Sequence, residues 1–423
     1  MQTKSNVWFF HHYATPPSVA GLTRPFDFSK ELQLRGHHCR IFSSSYLHYA
    51  RRFISDEKVL ITEIEEEGVN FVFVKSNRYR GNKFSRIINM IMYCVNLKRA
   101  VNKLLLKERP DIIIASSPHP LTCIAGIQIA KKIGVPCIIE IRDLWPKSIF
   151  AYEGLRETSV VAKLLFHGEK TIYKKANAII FTMEGGVEYI KEKGWDTGNG
   201  GPIAIEKIHH INNGVDIETF DNNIKLFTID DHDLVDSTYF KVIYAGSIRR
   251  ANNLKVLLLA AKHIQENSKK KIKLFVFGDG NERQELECFC HSIGITNVIF
   301  KGVVQKKYIP YILSCADLNI LHYASKDIWK YGGSQNKIFE YLASGKPVIS
   351  TIQMGFDIIL KYKAGVSLPV QSPEFIGNAI IDFAQLGQGE YDDYCVNARI
   401  AAQEYAFNKL ANDLVGVFET INY

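Results

Sequence analysis

The stretch KYGGSQNKIFEYLASGKPVIS, Lys330–Ser350, sets two glycines and a serine ahead of Lys337 and Glu340, three residues apart. On a helix that spacing puts the lysine and the glutamate on one face. The first amides of such a helix point at the glycine loop, and together with the helix dipole they favour an anion. Gly332 and Gly333 permit positive φ or close backbone approach. Ser334 is the expected N-cap, Gly345 with Pro347 the expected stop, and Pro347–Ser350 an expected strand. An ordinary helix–strand junction is the other reading of the same pattern.

Further segments place polar groups where strands end. In CIIEIRDLWPKSI, Cys137–Ile149, a buried strand runs straight into Arg142 and Asp143, the position at which open parallel sheets hold their chemistry. A strand-capping Arg142–Asp143 link is the alternative, and Glu140, deeper in the strand, reads as structural. KVIYAGSIRRANNLKVLLLAAK repeats a strand, a glycine loop and a helix. Gly246 and Ser247 offer backbone donors there, and Arg249 and Arg250 carry forks suited to phosphate oxygens. Gly21 occupies the first strand-to-helix loop, where a missing side chain admits a ligand to the backbone. Gly278-x-Gly280 has Arg283 at the third glycine position of a dinucleotide fingerprint, which argues against a nicotinamide or flavin cofactor. Asp231–Asp233, DHD, lacks a preceding apolar strand and reads as a solvated turn. His37 and His38 read as structural. No GxSxG, HExxH or GxxxxGK[ST] pattern occurs, so serine-hydrolase, zinc-protease and P-loop chemistries lack motif support.

The elements that must carry these groups alternate between short apolar runs and helical patterns. Expected strands are 7–10, 38–42, 71–75, 112–115, 137–140, 178–182 and 208–211, followed by 239–245, 273–277, 298–301, 318–321 and 347–350. Near-continuous apolar strands alternating with helices predict an α/β fold with doubly wound parallel sheets. A length of 423 residues suits two such domains. Asp216–Ser237, polar and acid-rich, is expected to link them, and a last helical segment near Ile400–Ile421 to return to the first domain. Ligands are then expected in a cleft between the halves.

Composition narrows the partners. With 46% hydrophobic and 23% charged residues the chain is ordinary for a soluble protein, and no window is apolar enough to span a bilayer. The opening MQTKSNVWFFHHYATPPS lacks signal-peptide features. None of the eight cysteines forms a CxxC pair, so they read as buried hydrophobes in a reducing compartment, with no metal site expected. The net charge of +8 is concentrated between Lys75 and Arg109, where ten Lys/Arg face a single acid, Glu108, and interleave with isoleucine, valine and leucine. This basic amphipathic segment reads either as a helix with a solvated basic face or as a dock on an anionic membrane. In a dock each cation near the surface adds about 1 kcal/mol. Nucleic acid is disfavoured because no aromatic ladder accompanies the basic run.

Taken together, the Gly21 loop, EIRDLWP, HINNGVDIETF, YAGSIRRANN, FGDG and the stretch from Lys330 resemble retaining GT-B glycosyltransferases of family 4. The nearest likeness is to bacterial enzymes of O-antigen, capsular polysaccharide and lipopolysaccharide biosynthesis. The resemblance implies two Rossmann-like domains facing a central cleft. An acceptor-side domain would span residues 1–216, with a C-terminal helix at about 404–423 packed back on it, and a donor domain residues 217–403. It implies a nucleotide-sugar donor, UDP with an N-acetylated hexosamine or deoxyhexosamine, and a polyprenyl-diphosphate-linked acceptor. The enzyme would be cytoplasmic, peripheral on the inner membrane face through segment 75–109, and would need no metal.

By the same resemblance Glu340 matches the glutamate that binds donor ribose. Gly332, Gly333, Ser334 and Asn336 border the diphosphate or sugar, and Lys337, Arg249 and Arg250 neutralise it, with Gly21, Gly246 and Ser247 also on the donor. Asp143 and Arg142 occupy the active-site strand end. Where the family often carries a second glutamate, this chain has Gly332. The family's Arg and Lys of the second glycine loop fall near Ser247 and Asn252. A sugar-nucleotide epimerase of the same fold and a catalytically silent membrane scaffold are the alternatives.

Overall fold

The structure, a computed structural model, describes residues 4–19, 21–79, 83–153 and 156–421. Two compact units divide the chain: one runs to Asn212 and takes in the segment from Phe407 onward, and the other is Asn213–Ala406.

The strands of the first unit are β1 (Asn6–Phe10), β2 (His38–Ser44), a small pair β3 (Tyr46–Leu47) and β4 (Arg52–Phe53), β5 (Ile61–Glu66) and β6 (Val69–Val74). They continue with β7 (Ile112–Ser116), β8 (Cys137–Ile141), β9 (Ala178–Phe181) and β10 (Ile208–His210). Its helices are α1 (Arg24–Leu34), α2 (Lys83–Leu104), α3 (Pro120–Ile133), α4 (Lys147–Glu153), α5 (Val160–Lys175) and α6 (Gly186–Glu192). Eight strands form one sheet in the order β10-β9-β8-β7-β1-β2-β6-β5. All pairs are parallel except β5 on β6. β7, β8 and β9 are buried at every residue, as strands covered on both faces must be. β5, ITEIEE, has no counterpart among the expected strands, because its alternating pattern is that of an edge with one wet face.

The second unit holds α7 (Ile217–Leu226), α8 (His232–Val235), β11 (Phe240–Ala245), α9 (Leu254–Asn267), β12 (Ile272–Phe277), α10 (Arg283–Ser292) and β13 (Val298–Gly302). It continues through α11 (Ile309–Ser314), β14 (Leu318–Leu321), α12 (Asn336–Ala343) and β15 (Val348–Ser350). α13 (Ile358–Lys361), β16 (Gly365–Ser367), α14 (Pro373–Gln385) and α15 (Gln388–Glu404) complete it. Its six-stranded sheet, β13-β12-β11-β14-β15-β16, is parallel throughout. Leu257, Leu258, Ala261 and Ile264 of α9 and Ile376 and Ile380 of α14 lie in one core over it. Each fully buried aliphatic of this kind contributes about 1.5–3 kcal/mol.

The last helix, α16 (Phe407–Ile421), belongs to the first unit, where Phe407 meets Phe28 of α1 edge-on at 5.3 Å. Asp216–Ser237 is not a free linker. Its acids cap and pair: Asp216 caps α7 through the Thr219 amide at 3.0 Å, and Asp221 meets Arg399 at 2.8 Å. The DHD turn is likewise held rather than solvated, since Asp231 and Asp233 take Lys301 Nζ at 2.8 and 2.7 Å. Among the described residues all eight cysteines are free thiols, and Cys288 departs from expectation in being exposed.

Both sheets reverse their winding once, between β1 and β7 in the first and between β11 and β14 in the second. The loops leaving those strands flank the places where such sheets take ligands.

Candidate functional site

At the reversal of the second sheet, β11 runs out into Gly246 and α12 supplies Lys337. A Cβ on Gly246 would stand 2.4 Å from Lys337 Nζ, so only glycine leaves room for the ammonium over this loop. Lys337 Nζ lies 4.7 Å from the Tyr244 ring centre and 4.6 Å from that of Tyr323, within cation–π range of both. Burial pushes this half-buried ammonium down to about 7, against the pull of Glu340. Glu340, one turn on, is raised by burial, with Lys306 and Lys337 opposing.

Ser334 is not the N-cap. α12 begins at Asn336 after Gln335, whose side chain makes no cap bond. The Ser334 hydroxyl instead accepts the Asn213 amide at 3.0 Å, and its carbonyl takes the Asn213 side chain. Gly332, at φ 91°, needs to be glycine for its backbone alone. A Cβ on Gly333 would press on the Met354 sulfur and the Gln335 side chain. The expected stop is present: Gly345 takes φ 67°, and its amide bonds the Leu342 carbonyl.

Ser247 organises its own loop. Its carbonyl accepts Tyr244 Oη at 2.9 Å, and Asn252 Nδ2 reaches its hydroxyl at 3.1 Å. Arg249 and Arg250 are exposed and stand beyond this arrangement. Gly278 and Gly280 serve the loop from behind: Cβ atoms there would lie 1.9 Å from the carbonyl oxygens of Gly246 and Ile248. The GxG pair is thus a backbone-packing device for the Gly246 loop.

His322, directly after β14, is buried. Its Nε2 is 3.0 Å from the Asn253 carbonyl and its Nδ1 2.8 Å from Thr351 Oγ1. Burial holds its pKa near 4, so it is neutral. Tyr244, Tyr323 and His322 escaped sequence reasoning. The signal was available for two of them: HY follows the apolar strand LNIL much as RD follows CIIEI.

In the first unit the strand ends divide differently. Glu140 of β8 is buried against Arg24, 2.7 Å from its Nε. Ser116 donates to its other oxygen. Arg24 also donates to the Ile211 carbonyl at 2.8 Å and to that of Asn212. Burial alone would raise Glu140, but Arg24, Arg142 and Ser116 outweigh it and bring the carboxyl to about 2. Arg142 is half-buried, with its amide on Ser117 Oγ at 3.2 Å. Asp143 is exposed. The protein crowding its carboxyl raises its pKa, with Arg142 pulling the other way. Gly21 makes room for a neighbour, since a Cβ would stand 2.3 Å from Thr15 Oγ1. His12 and His119, also unforeseen, meet across the reversal between β1 and β7 at 2.6 Å. Burial lowers both, His119 to about 3, so both are neutral.

Among the described residues no group of three or more His, Cys, Asp or Glu could hold a metal, and no helix is long and apolar enough to cross a membrane. Arg80, counted in the basic segment, lies outside the described residues.

Residues 23–200 match the family described as "Glycosyl transferase 4-like domain", and residues 239–385 match "Glycosyl transferases group 1". No curated protein matches the chain. Solved structures share the fold at low identity. Sucrose-phosphate synthase from Thermosynechococcus elongatus is 14% identical with a TM-score of 0.74, 99% of each chain being covered. Anabaena HepE in complex with UDP and glucose is 13% identical with a TM-score of 0.65, over 98% of this chain and 100% of that one. WaaG, a glycosyltransferase involved in lipopolysaccharide biosynthesis, is 14% identical with a TM-score of 0.63, over 97% and 99%. A glycosyl transferase 4-like domain followed by a glycosyl transferases group 1 domain, on two parallel Rossmann-like sheets, makes this chain a glycosyltransferase with the GT-B fold.

Proposed function

We propose that the enzyme transfers a sugar from a UDP donor, an N-acetylated hexosamine or deoxyhexosamine, to a polyprenyl-diphosphate-linked acceptor, with retention, in surface-polysaccharide biosynthesis. The carrying observation is the Lys337 ammonium held over Gly246 in the first turn of α12, a cation desolvated in advance of an anionic partner. A diphosphate there would meet Lys337 and the amides of α12, which stabilise the charge that builds on the leaving group. Glu340 would take the ribose hydroxyls, Gly332–Ser334 and Asn336 would border the sugar, and Arg249 and Arg250 would add charge from the loop. HepE with UDP supports the donor class, and WaaG supports the polysaccharide setting. Arg142 and Asp143 are assigned to the reacting sugar, and no metal is invoked. The enzyme would work at the inner face of the cytoplasmic membrane, docked through residues 75–109.

Mass spectrometry of products from a panel of nucleotide sugars and polyprenyl-linked acceptors tests this. One N-acetylated sugar added to the lipid, dependent on UDP-sugar, is expected. Rapid donor turnover without acceptor would overturn it in favour of epimerisation. UDP binding indifferent to Lys337→Ala and Glu340→Ala would leave a scaffold.

A further inference from the structure

Helix α2 has two apolar faces. Asn89, Tyr93, Asn96, Leu97, Ala100 and Leu104 form the buried one. Ile87, Ile88, Ile91 and Val95 recur at spacings of three and four on the opposite side, and all are exposed. Farther along the same side the exposed residues become Lys98 and Arg99. α2 packs beside α3, and α3 beside α5. The neighbours continue the pattern: Val160, Val161 and Leu164 at the start of α5 are 74, 63 and 67% exposed, while Lys174 and Lys175 stand exposed at its end. α3 likewise ends in exposed Lys131 and Lys132.

Each of these helices returns from the carboxyl end of one parallel strand to the amino end of the next. The exposed aliphatics of α2 and α5 therefore lie toward the carboxyl edge of the first sheet, the edge bearing Arg142 and Asp143, with exposed Lys163 among those of α5, and the lysines that end the three helices lie away from it. The three helices contain one acid, Glu169, and it is buried beneath the hydroxyls of Tyr173 and Tyr189 at 2.7 and 2.8 Å. A solvated helix face ordinarily mixes both signs of charge. One with exposed aliphatics, exposed cations both beside them and farther along, and no exposed acid is complementary to an anionic bilayer, which offers acyl chains beneath negative headgroups.

We propose that α2, α3 and α5 form a single membrane-docking surface, in which α5 inserts alongside α2 and turns the carboxyl edge of the first sheet toward the bilayer. This extends the dock beyond segment 75–109 and rests on the lipid-acceptor reading for its purpose, though not for the binding itself. Lipid-linked sugars would then be presented at the strand ends that hold Arg142 and Asp143.

Co-sedimentation with vesicles of phosphatidylglycerol and phosphatidylcholine tests it with the full chain. Val161→Ser/Leu164→Ser, which alters no charge and touches only exposed positions, should weaken vesicle binding about tenfold or more. Ile87→Ser/Ile91→Ser should do the same, and both variants should keep the wild-type melting temperature and UDP affinity. Undiminished binding by the α5 variant would overturn the proposal, as would equal binding of wild type to pure phosphatidylcholine. Sedimentation velocity showing a dimer that these substitutions dissociate would overturn it as well, by making a second copy the cover. Vesicle binding that behaves as expected in an enzyme that uses no lipid-linked acceptor would remove the proposed function and leave this surface standing.

Discussion

Arg24–Glu140 in the first unit and Lys337–Glu340 in the second are both charged pairs near the carboxyl ends of parallel strands, and they are opposites in how their charge is met. Arg24 gives its donors to Glu140 and to two backbone carbonyls, and Ser116 takes the remaining carboxylate oxygen. The environment therefore favours ionised Glu140 and holds it near 2. Lys337 presents its ammonium to two tyrosine rings and a glycine, and its environment disfavours the ion, down to about 7. A charge whose partners are built in is structural. A charge desolvated ahead of a partner is arranged for a ligand.

The largest effect that could break this contrast is on stability. Arg24→Ala leaves a buried carboxylate without its cation and should cost about 3–5 kcal/mol in urea unfolding. UDP affinity, measured in the folded fraction by calorimetry, should not move. A variant that kept its stability and lost UDP would place Arg24 with the ligand groups instead. Because the folded pKa of Glu140 lies below its ordinary 4.5, its contribution is complete above that value and is lost as pH falls from about 4.5 toward 2. Glu140→Gln should flatten that acid limb.

The glycines sharpen the same distinction. Gly278→Ala meets a backbone oxygen at 1.9 Å from a φ of 128°, and strain alone should cost about 1–3 kcal/mol. Gly246→Ala meets the flexible end of Lys337. Its melting temperature should stay near wild type while UDP binding weakens. Lys337→Met removes one charged partner of the diphosphate, about 1.5–3 kcal/mol or roughly 10–100-fold in UDP affinity. It should not destabilise the protein, since an ion held at a disadvantage is gone.

Much of this arrangement could be read from the sequence because parallel strands and their ends write a local pattern. Each expected strand is present, and Lys337, Glu340 and Gly246 stand at the second reversal. What could not be read depends on distant partners. Ser334 looks like a cap until Asn213 is seen to occupy it, and Gly21 looks open until Thr15 fills its space. The acids of Asp216–Ser237 look solvated until Lys301 and Arg399 meet them. The α5 part of the apolar face was hidden because its three exposed aliphatics read, in one dimension, as ordinary core positions.

The smallest effect tests the contrast most directly, by titration. Above about pH 7 the free enzyme holds Lys337 increasingly as the neutral amine, whereas a bound diphosphate favours the ammonium, so binding must take up a proton. UDP affinity should therefore fall as pH rises from about 7 to 9, by at most tenfold, or about 1.4 kcal/mol, per pH unit. Calorimetry in buffers of different ionisation enthalpy should register the proton taken up at pH 8. Lys337→Arg keeps a cation that does not titrate in this range, so its profile should be flat even where its affinity is lower. A wild-type profile as flat as that of Lys337→Arg would mean that Lys337 enters the site already charged, and the two pairs would then differ in geometry alone.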